Sequence, residues 1–174
     1  MNRTVSFAPV RKTLRVKAGR EHAFKVFTTG SWWPKEHSIL TGTRQQAVVI
    51  QPRAGGRWFE RGEDGRECDW GKVLAWEPPG RLLLSWQLNG HFAYDPNLVT
   101  EVEVHFIADG PNMTRVELEH RYFERAGDTA EALRAGVDSP EGWAASLERF
   151  AQEAVQLEGP SPQRGEGGTR AAGG

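Results

Sequence analysis

Seven short segments with strand character, separated by turn sequences, leave few folds open to this chain. They are rich in alternating apolar and polar residues and cover residues 10–16, 47–51, 57–61, 67–76, 81–88, 100–107 and 113–122. The turns at Asp64-Gly65, residues 77–80 and residues 109–112 are tight, whereas a parallel crossover needs about a dozen residues. The pattern therefore predicts an antiparallel sheet, in which only the connection at residues 89–99 is long.

The alternation with a period of two also predicts which face of this sheet is buried. The apolar positions that share one face are Leu82, Leu84, Trp86 and Leu88, then Val102, Val104 and Phe106, then Val116 and Leu118, with His120 on the same side. An apolar face of this size must be covered by another layer of the protein.

A C-terminal helix is the predicted cover. Ser139-Pro140-Glu141 is typical of a helix start, with a capping serine, proline at the first position and an acid in the first turn. The following apolar stripe is formed by Trp143, Leu147, Phe150, Ala154 and Leu157. A shorter amphipathic helix is predicted over residues 20–28, and a helical turn around residues 129–134. The fold class is therefore α+β.

Composition limits the number of domains and the class of partner. The chain has 174 residues, enough for one domain, which we assign to residues 1–158; residues 159–174 are rich in glycine and proline and are expected to be disordered. The net charge of −1 argues against nucleic acid or an anionic membrane as the partner. The oligomeric state stays open, a homodimer included.

Cysteine and histidine usage bounds the chemistry. Cys68 is the single cysteine, which excludes an internal disulfide, and the five histidines lack metal-ligand spacing, so we expect no metal site. We expect no cofactor either. The N-terminus lacks an apolar signal region and no apolar run reaches 18 residues, which predicts a cytoplasmic protein.

Several local sequences together resemble one family. They are residues 55–60 (GGRWFE), Asp64-Gly65, residues 70–74 (WGKVL), residues 76–79 (WEPP), residues 82–86, and Gly142-Trp143 with Leu147. In this order they resemble the START/polyketide-cyclase-like superfamily, in the branch named after the activator of the heat-shock-protein-90 ATPase. The resemblance extends over about residues 8–157. It implies a helix-grip fold, whose sheet wraps the last helix around a cavity for an apolar or amphipathic small molecule.

The seven tryptophans are the first candidates for lining such a cavity. Buried in full, they would cover about 1,000–1,750 Å². We expect Trp70 and Trp86 in central strands and Trp143 on the covering helix to line the cavity, with Leu147 beside them. Trp32 and Trp33 are expected near its open end. The alternative is that these side chains only fill the core. Trp58 and Trp76, near strand ends, are weaker candidates.

Two polar residues are candidate acid/base groups. Glu60 shares a face with Trp58, so it is either an acid in an apolar site, where desolvation raises the pKa, or a solvent-facing carboxylate paired with Arg57, Arg61 or Arg66. His120 on the apolar face is either a ligand contact or a core histidine with all its hydrogen bonds made inside the protein. Nothing in the sequence brings the two together.

These residues support three functional hypotheses. The first is a binding protein for a small apolar or aromatic molecule, in which Phe92 or Tyr94 of the loop at residues 89–99 forms a lid. The second is an enzyme of cyclase, aromatase or hydrolase type that uses Glu60 and His120 as catalytic groups. The third is a chaperone-interaction module, which the near-neutral charge disfavours.

Overall fold

The computed structural model describes residues 7–158, and side chains as far as residue 155. The predicted disordered segment at residues 159–174 and the side chain of Leu157 lie outside this part. The strands are β1 (Val10–Val16), β2 (Gln45–Ile50), β3 (Arg57–Gly62), β4 (Glu67–Glu77), β5 (Arg81–Trp86), β6 (Thr100–Ala108) and β7 (Thr114–Arg121). The α-helices are α1 (Arg20–Thr29), α2 (Ala130–Asp138) and α3 (Trp143–Glu158), and 3₁₀ helices occupy Lys35–His37 and Phe123–Thr129.

The strands form one antiparallel sheet in the order β1-β7-β6-β5-β4-β3-β2. Each strand from β2 to β7 therefore pairs with its neighbour along the chain, as the short turns predicted. Strand β1 forms the other edge of the sheet, where Val10 pairs with His120 of β7. The same histidine pairs with Val102 of β6, so it lies between two strands on the inner face.

Helix α3 covers the apolar face of the sheet. The alternation in β6 and β7 is confirmed, because Val102, Val104, Phe106, Val116 and Leu118 are buried and the residues between them are partly exposed. From the helix side Trp143, Leu147, Phe150 and Ala154 are buried in the same core. The sheet curls around α3, and the predicted α+β helix-grip architecture is confirmed.

The start of the last helix differs from the prediction. Ser139 does not cap α3, which begins at Trp143. Its hydroxyl instead donates to Gly136 O of α2 at 2.8 Å, and Gly142 N donates to Ser139 O at 2.9 Å. Residues 139–142 are thus a tight turn between two helices, because the helical segment before them extends to Asp138 and uses Ser139 at its own C-terminus.

The outer face of the sheet carries a network of ion pairs. Arg121 forms salt bridges with Glu101, Glu103 and Glu119, and Arg81 forms a salt bridge with Glu103. Partial burial raises the pKa of Glu103, but the bonds from Arg121 and Arg81 outweigh it and lower the pKa to about 2. This face is a solvated polar surface, so a site for an apolar ligand must lie on the other side.

A close approach of β4 and β5 depends on a glycine. A Cβ added at Gly71 of β4 would lie 1.9 Å from Ser85 O of β5. On its other side, β4 has a register shift against β3, at which Trp58 faces Gly71 and Phe59 faces Asp69. Strands β4 and β5 come this close where Trp70 turns onto the inner face.

We expect Gly71→Ala to destabilise the protein by at least about 2 kcal/mol, because the backbone of β5 must move to accept a methyl group. The matched control is Gly19→Ala, whose added Cβ would make an ordinary contact at 3.6 Å from Pro111 O. Urea unfolding of both variants measures the difference. Equal midpoints for the two variants would contradict this reading of the strand contact.

Candidate functional site

A cavity of about 430 Å³ opens between the inner face of the sheet, the segment at residues 36–39 and the turn between α2 and α3. Its apolar wall is formed mainly by the indoles of Trp33, Trp70, Trp86 and Trp143, with Ile39, Leu88 and Val137. The polar side chains that line it are Glu36, His37, Ser38, Ser139, Glu141 and Ser146. An apolar surface with few polar groups is typical of small-molecule sites.

The four indoles are in contact with one another. Trp33 packs edge-to-face on Trp70, with ring centroids 5.3 Å apart and planes at 88°, and lies 5.6 Å from Trp143. Trp143 lies 5.7 Å from Trp86. Trp58 closes the cluster from behind, 5.7 Å from Trp70 and 5.8 Å from Trp86. Tilted and edge-to-face contacts of this kind are the favoured geometry of aromatic pairs.

Hydrogen bonds fix the orientation of three of the lining indoles. Nε1 of Trp86 donates to Leu88 O at 3.2 Å, Nε1 of Trp70 to Glu60 Oε1 at 3.3 Å, and Nε1 of Trp143 to His120 Nδ1 at 3.1 Å. Trp33 differs, because its Nε1 is buried and has no partner among the described residues. Its ring is held by stacking on Trp32, with centroids 4.6 Å apart and planes at 21°.

His120 is completely buried behind the cavity wall. Because an indole N–H can only donate, Nδ1 accepts from Trp143, and the proton of the neutral ring is on Nε2. Nε2 then donates to Thr100 Oγ1 at 2.9 Å, and that hydroxyl donates to Trp86 O at 2.8 Å. Burial lowers the pKa of His120 to about 3, so the ring is neutral near pH 7.

Glu60 is also completely buried. Its carboxylate accepts four hydrogen bonds, from the hydroxyl of Ser38, from Ile39 N at 3.0 Å, from Gln45 Nε2 at 3.3 Å and from Trp70 Nε1. The arginines that the sequence offered as partners are engaged elsewhere: Arg57 with Asp69 and Glu67, Arg61 with Glu67, and Arg66 with Asp64. Glu60 thus holds the segment at residues 38–39 and Trp70 in place.

The structure brings five of the predicted site residues to the cavity surface: Trp33, Trp70, Trp86, Phe92 and Trp143. Four do not line it. Trp32 packs on Phe27 and Phe150 in the core and donates to Phe27 O. Leu147 is buried one turn further along α3 than Trp143. Glu60 and His120 lie behind the wall and touch the lining residues through hydrogen bonds, each from a different indole.

Phe92 lies at the mouth of the cavity. It is 38% exposed and adopts a left-handed backbone conformation with φ of 58°. Its ring rests on Gly136, where an added Cβ would lie 3.2 Å from Phe92 Cζ. Tyr94, the other lid candidate, instead forms a bridge to Leu88 and packs against the core.

Sequence reasoning missed two parts of the lining. These are the segment at residues 36–39 and the turn residues Ser139, Glu141 and Gly142, with Ser146 after them; Gly136 and Val137 at the end of α2 line the cavity as well. Neither part has a periodic apolar pattern, and both reach the cavity through contacts between distant segments. The one available signal was Pro34, which follows the turn after α1 and directly precedes the 3₁₀ helix at Lys35–His37.

The described residues contain no group of three or more His, Cys, Asp or Glu side chains that could bind a metal ion. In the same part of the chain, no helix combines the length and apolar character needed to cross a bilayer.

A curled antiparallel sheet around a long C-terminal helix, with an apolar cavity between them, defines a protein of the START/polyketide-cyclase-like superfamily. The sequence profile of the family described as "Activator of Hsp90 ATPase homolog 1-like protein" matches residues 17–154. The chain belongs to this family.

Two solved structures share substantial sequence identity with the chain. An anthrahydroquino-γ-pyrone synthase, Txn09, determined in complex with SUM, is 37% identical; the match covers 86% of this chain and 98% of the synthase, with a TM-score of 0.60. The self-sacrificing resistance protein CalC from Micromonospora echinospora is 33% identical over 88% of this chain and 97% of CalC, with a TM-score of 0.61.

Protein NE0264 from Nitrosomonas europaea is 11% identical, with a TM-score of 0.59 over 86% of this chain and 95% of its own, and shows the likeness of fold alone. No curated protein matches the chain.

The burial of His120 predicts a pH dependence of stability. The folded-state pKa of about 3 lies below the ordinary value of 6.5, so the unfolded chain binds a proton in that interval and the folded protein does not. The contribution of this linkage to the free energy of unfolding is complete above pH 6.5. Below that, the free energy of unfolding decreases by about 1.4 kcal/mol for each unit by which the pH falls toward 3. We expect His120→Gln to lower this slope, measured by urea unfolding between pH 4 and about 7.5.

His91→Gln, at an exposed loop position, is the control for this experiment and should keep the slope of the parent protein. An unchanged slope in His120→Gln would be inconsistent with a buried neutral imidazole, whatever that variant does to stability at neutral pH.

Proposed function

We propose that this protein binds a planar aromatic small molecule in the tryptophan-lined cavity. The observation that carries the proposal is the cavity itself, about 430 Å³ in volume and walled by four indoles. Volumes of roughly 300–1,000 Å³ are usual for small-molecule pockets. Indole walls offer flat, polarisable surfaces to which aromatic rings bind in stacked or edge-to-face geometry.

The state of the indole N–H groups favours an apolar aromatic surface on the ligand. Three of them are engaged within the protein, and the fourth, on Trp33, is buried. The indoles therefore contribute ring surface to the cavity and little hydrogen bonding. The fixed orientation of these rings also lowers the entropy lost on binding, since the wall does not have to become ordered around the ligand.

The synthase at 37% identity supports a narrower ligand class. Its name refers to an anthrahydroquinone, a fused aromatic system that carries hydroxyl groups. We infer that the ligand of this chain is an aromatic molecule of the same general kind, with fused rings and oxygen substituents.

We expect 2-acetonaphthone to bind, and Trp33→Phe to weaken its binding by about threefold to tenfold, because part of an aromatic wall is lost. This substitution breaks no hydrogen bond to the indole. Trp76→Phe is the control, since Trp76 packs on Phe24 and does not line the cavity. Isothermal titration calorimetry gives both affinities, and equal weakening in the two variants would argue against this cavity.

A second candidate function is an enzyme that acts on the same class of ligand, which the identity to a synthase favours. His120 is an unsuitable proton donor because both ring nitrogens are hydrogen bonded inside the protein. The titratable side chains that line the cavity are Glu36, His37 and Glu141. They are the candidates for acid/base chemistry in this version.

We expect an enzyme of this kind to accelerate the exchange of the methyl protons of 2-acetonaphthone for deuterium in D₂O, and we expect His37→Gln to slow this exchange. NMR measures the rate of exchange. Exchange at the rate seen in buffer, with 2-acetonaphthone bound, would favour a binding role alone.

A further inference from the structure

We propose that Glu60, acting through the hydroxyl of Ser38, makes the cavity selective for aromatic ligands that carry a hydroxyl group. The inference rests on the proposed function, since it concerns the same cavity. It starts from the least expected feature of the core, which is a carboxylate with no exposed surface and only neutral hydrogen-bond donors around it.

A buried carboxylate is costly unless its charge is balanced or fully hydrogen bonded. In the part of the chain that the structure describes, Glu60 forms no salt bridge; each of its oxygens accepts two hydrogen bonds. Oε1 accepts from Ile39 N and Trp70 Nε1, and Oε2 accepts from Ser38 and Gln45. Both oxygens are therefore occupied, and a ligand in the cavity reaches the charge only through one of these donors.

Ser38 is the donor that stands between the carboxylate and the cavity. It lines the cavity, its hydroxyl donates to Glu60 Oε2, and its oxygen accepts from Leu40 N at 3.2 Å. A hydroxyl has one proton and two acceptor positions, so one acceptor position on Ser38 Oγ remains. Because its proton is directed at a carboxylate, this oxygen is a stronger acceptor than an ordinary serine.

The group that matches such an acceptor is an O–H donor, and the most acidic O–H groups on aromatic ligands are phenols and enols. The resulting chain runs from the ligand hydroxyl to Ser38 and from Ser38 to Glu60. A ligand with a methyl group in the same place would leave the remaining position of Ser38 without a partner and lose that hydrogen bond.

Two other serines line the cavity and allow a matched comparison. The hydroxyl of Ser139 donates to the neutral carbonyl Gly136 O and not to a carboxylate, so its oxygen is an ordinary acceptor and Ser139 is the control. Ser146 is buried on α3, and its hydroxyl makes no hydrogen bond within the described residues, so it is the competing anchor.

The test compares 2-naphthol with 2-methylnaphthalene, which differ by a hydroxyl in place of a methyl group. Calorimetric titration gives the ratio of the two dissociation constants for the parent protein and for Ser38→Ala, Glu60→Gln, Ser139→Ala and Ser146→Ala. We expect the preference for 2-naphthol to fall about tenfold in Ser38→Ala, a smaller fall in Glu60→Gln, and no change in Ser139→Ala. A variant that binds 2-methylnaphthalene with the affinity of the parent protein has an intact cavity.

The outcomes separate the inference from the proposed function. If neither probe binds the parent protein, the proposed function fails, and the inference with it. If both bind and the ratio in Ser38→Ala equals that of the parent protein, the inference is overturned while the binding function stands. A fall confined to Ser146→Ala also overturns it, because the hydroxyl would then be recognised from α3.

Discussion

Contact among five indoles holds the start of α3, the loop after α1 and the inner face of the sheet together. Trp33, Trp58, Trp70, Trp86 and Trp143 come from a loop, three neighbouring strands and α3, and their ring centroids lie 5.3–5.9 Å apart in a continuous cluster. The cavity occurs where four of these rings meet at the end of α3.

Two buried polar residues complete this arrangement from behind. His120 and Glu60 each accept a hydrogen bond from an indole N–H, and each is bonded on its other side to the sheet or to the wall segment. An unpartnered buried polar group costs about 1–3 kcal/mol, so a wrong rotation of Trp70 or Trp143 is penalised at both partners. These two polar residues thereby fix the orientation of Trp70 and Trp143, which a purely hydrophobic core would specify less well.

Sequence patterns were sufficient for most of the scaffold and for part of the site. Alternation placed His120 on the inner face correctly, because a residue's face follows from its position along a strand alone. The start of α3 was placed too early, because Ser139-Pro140 has the local chemistry of a helix start and yet serves α2. Local propensity could not reveal that α2 extends as far as Asp138 and uses this serine.

The sequence by itself determined the antiparallel order of neighbouring strands, the buried face and the helix that covers it, since all three follow from local periodicity and turn length. Only the tertiary structure decided which large side chains face a cavity and which fill the core. Trp32 and Trp33 are adjacent and chemically identical, yet one packs on Phe27 and Phe150 while the other lines the cavity. The partners of Glu60 were likewise undecided until the segment at residues 38–39 was placed, because hydrogen bonds between distant segments have no periodic signature.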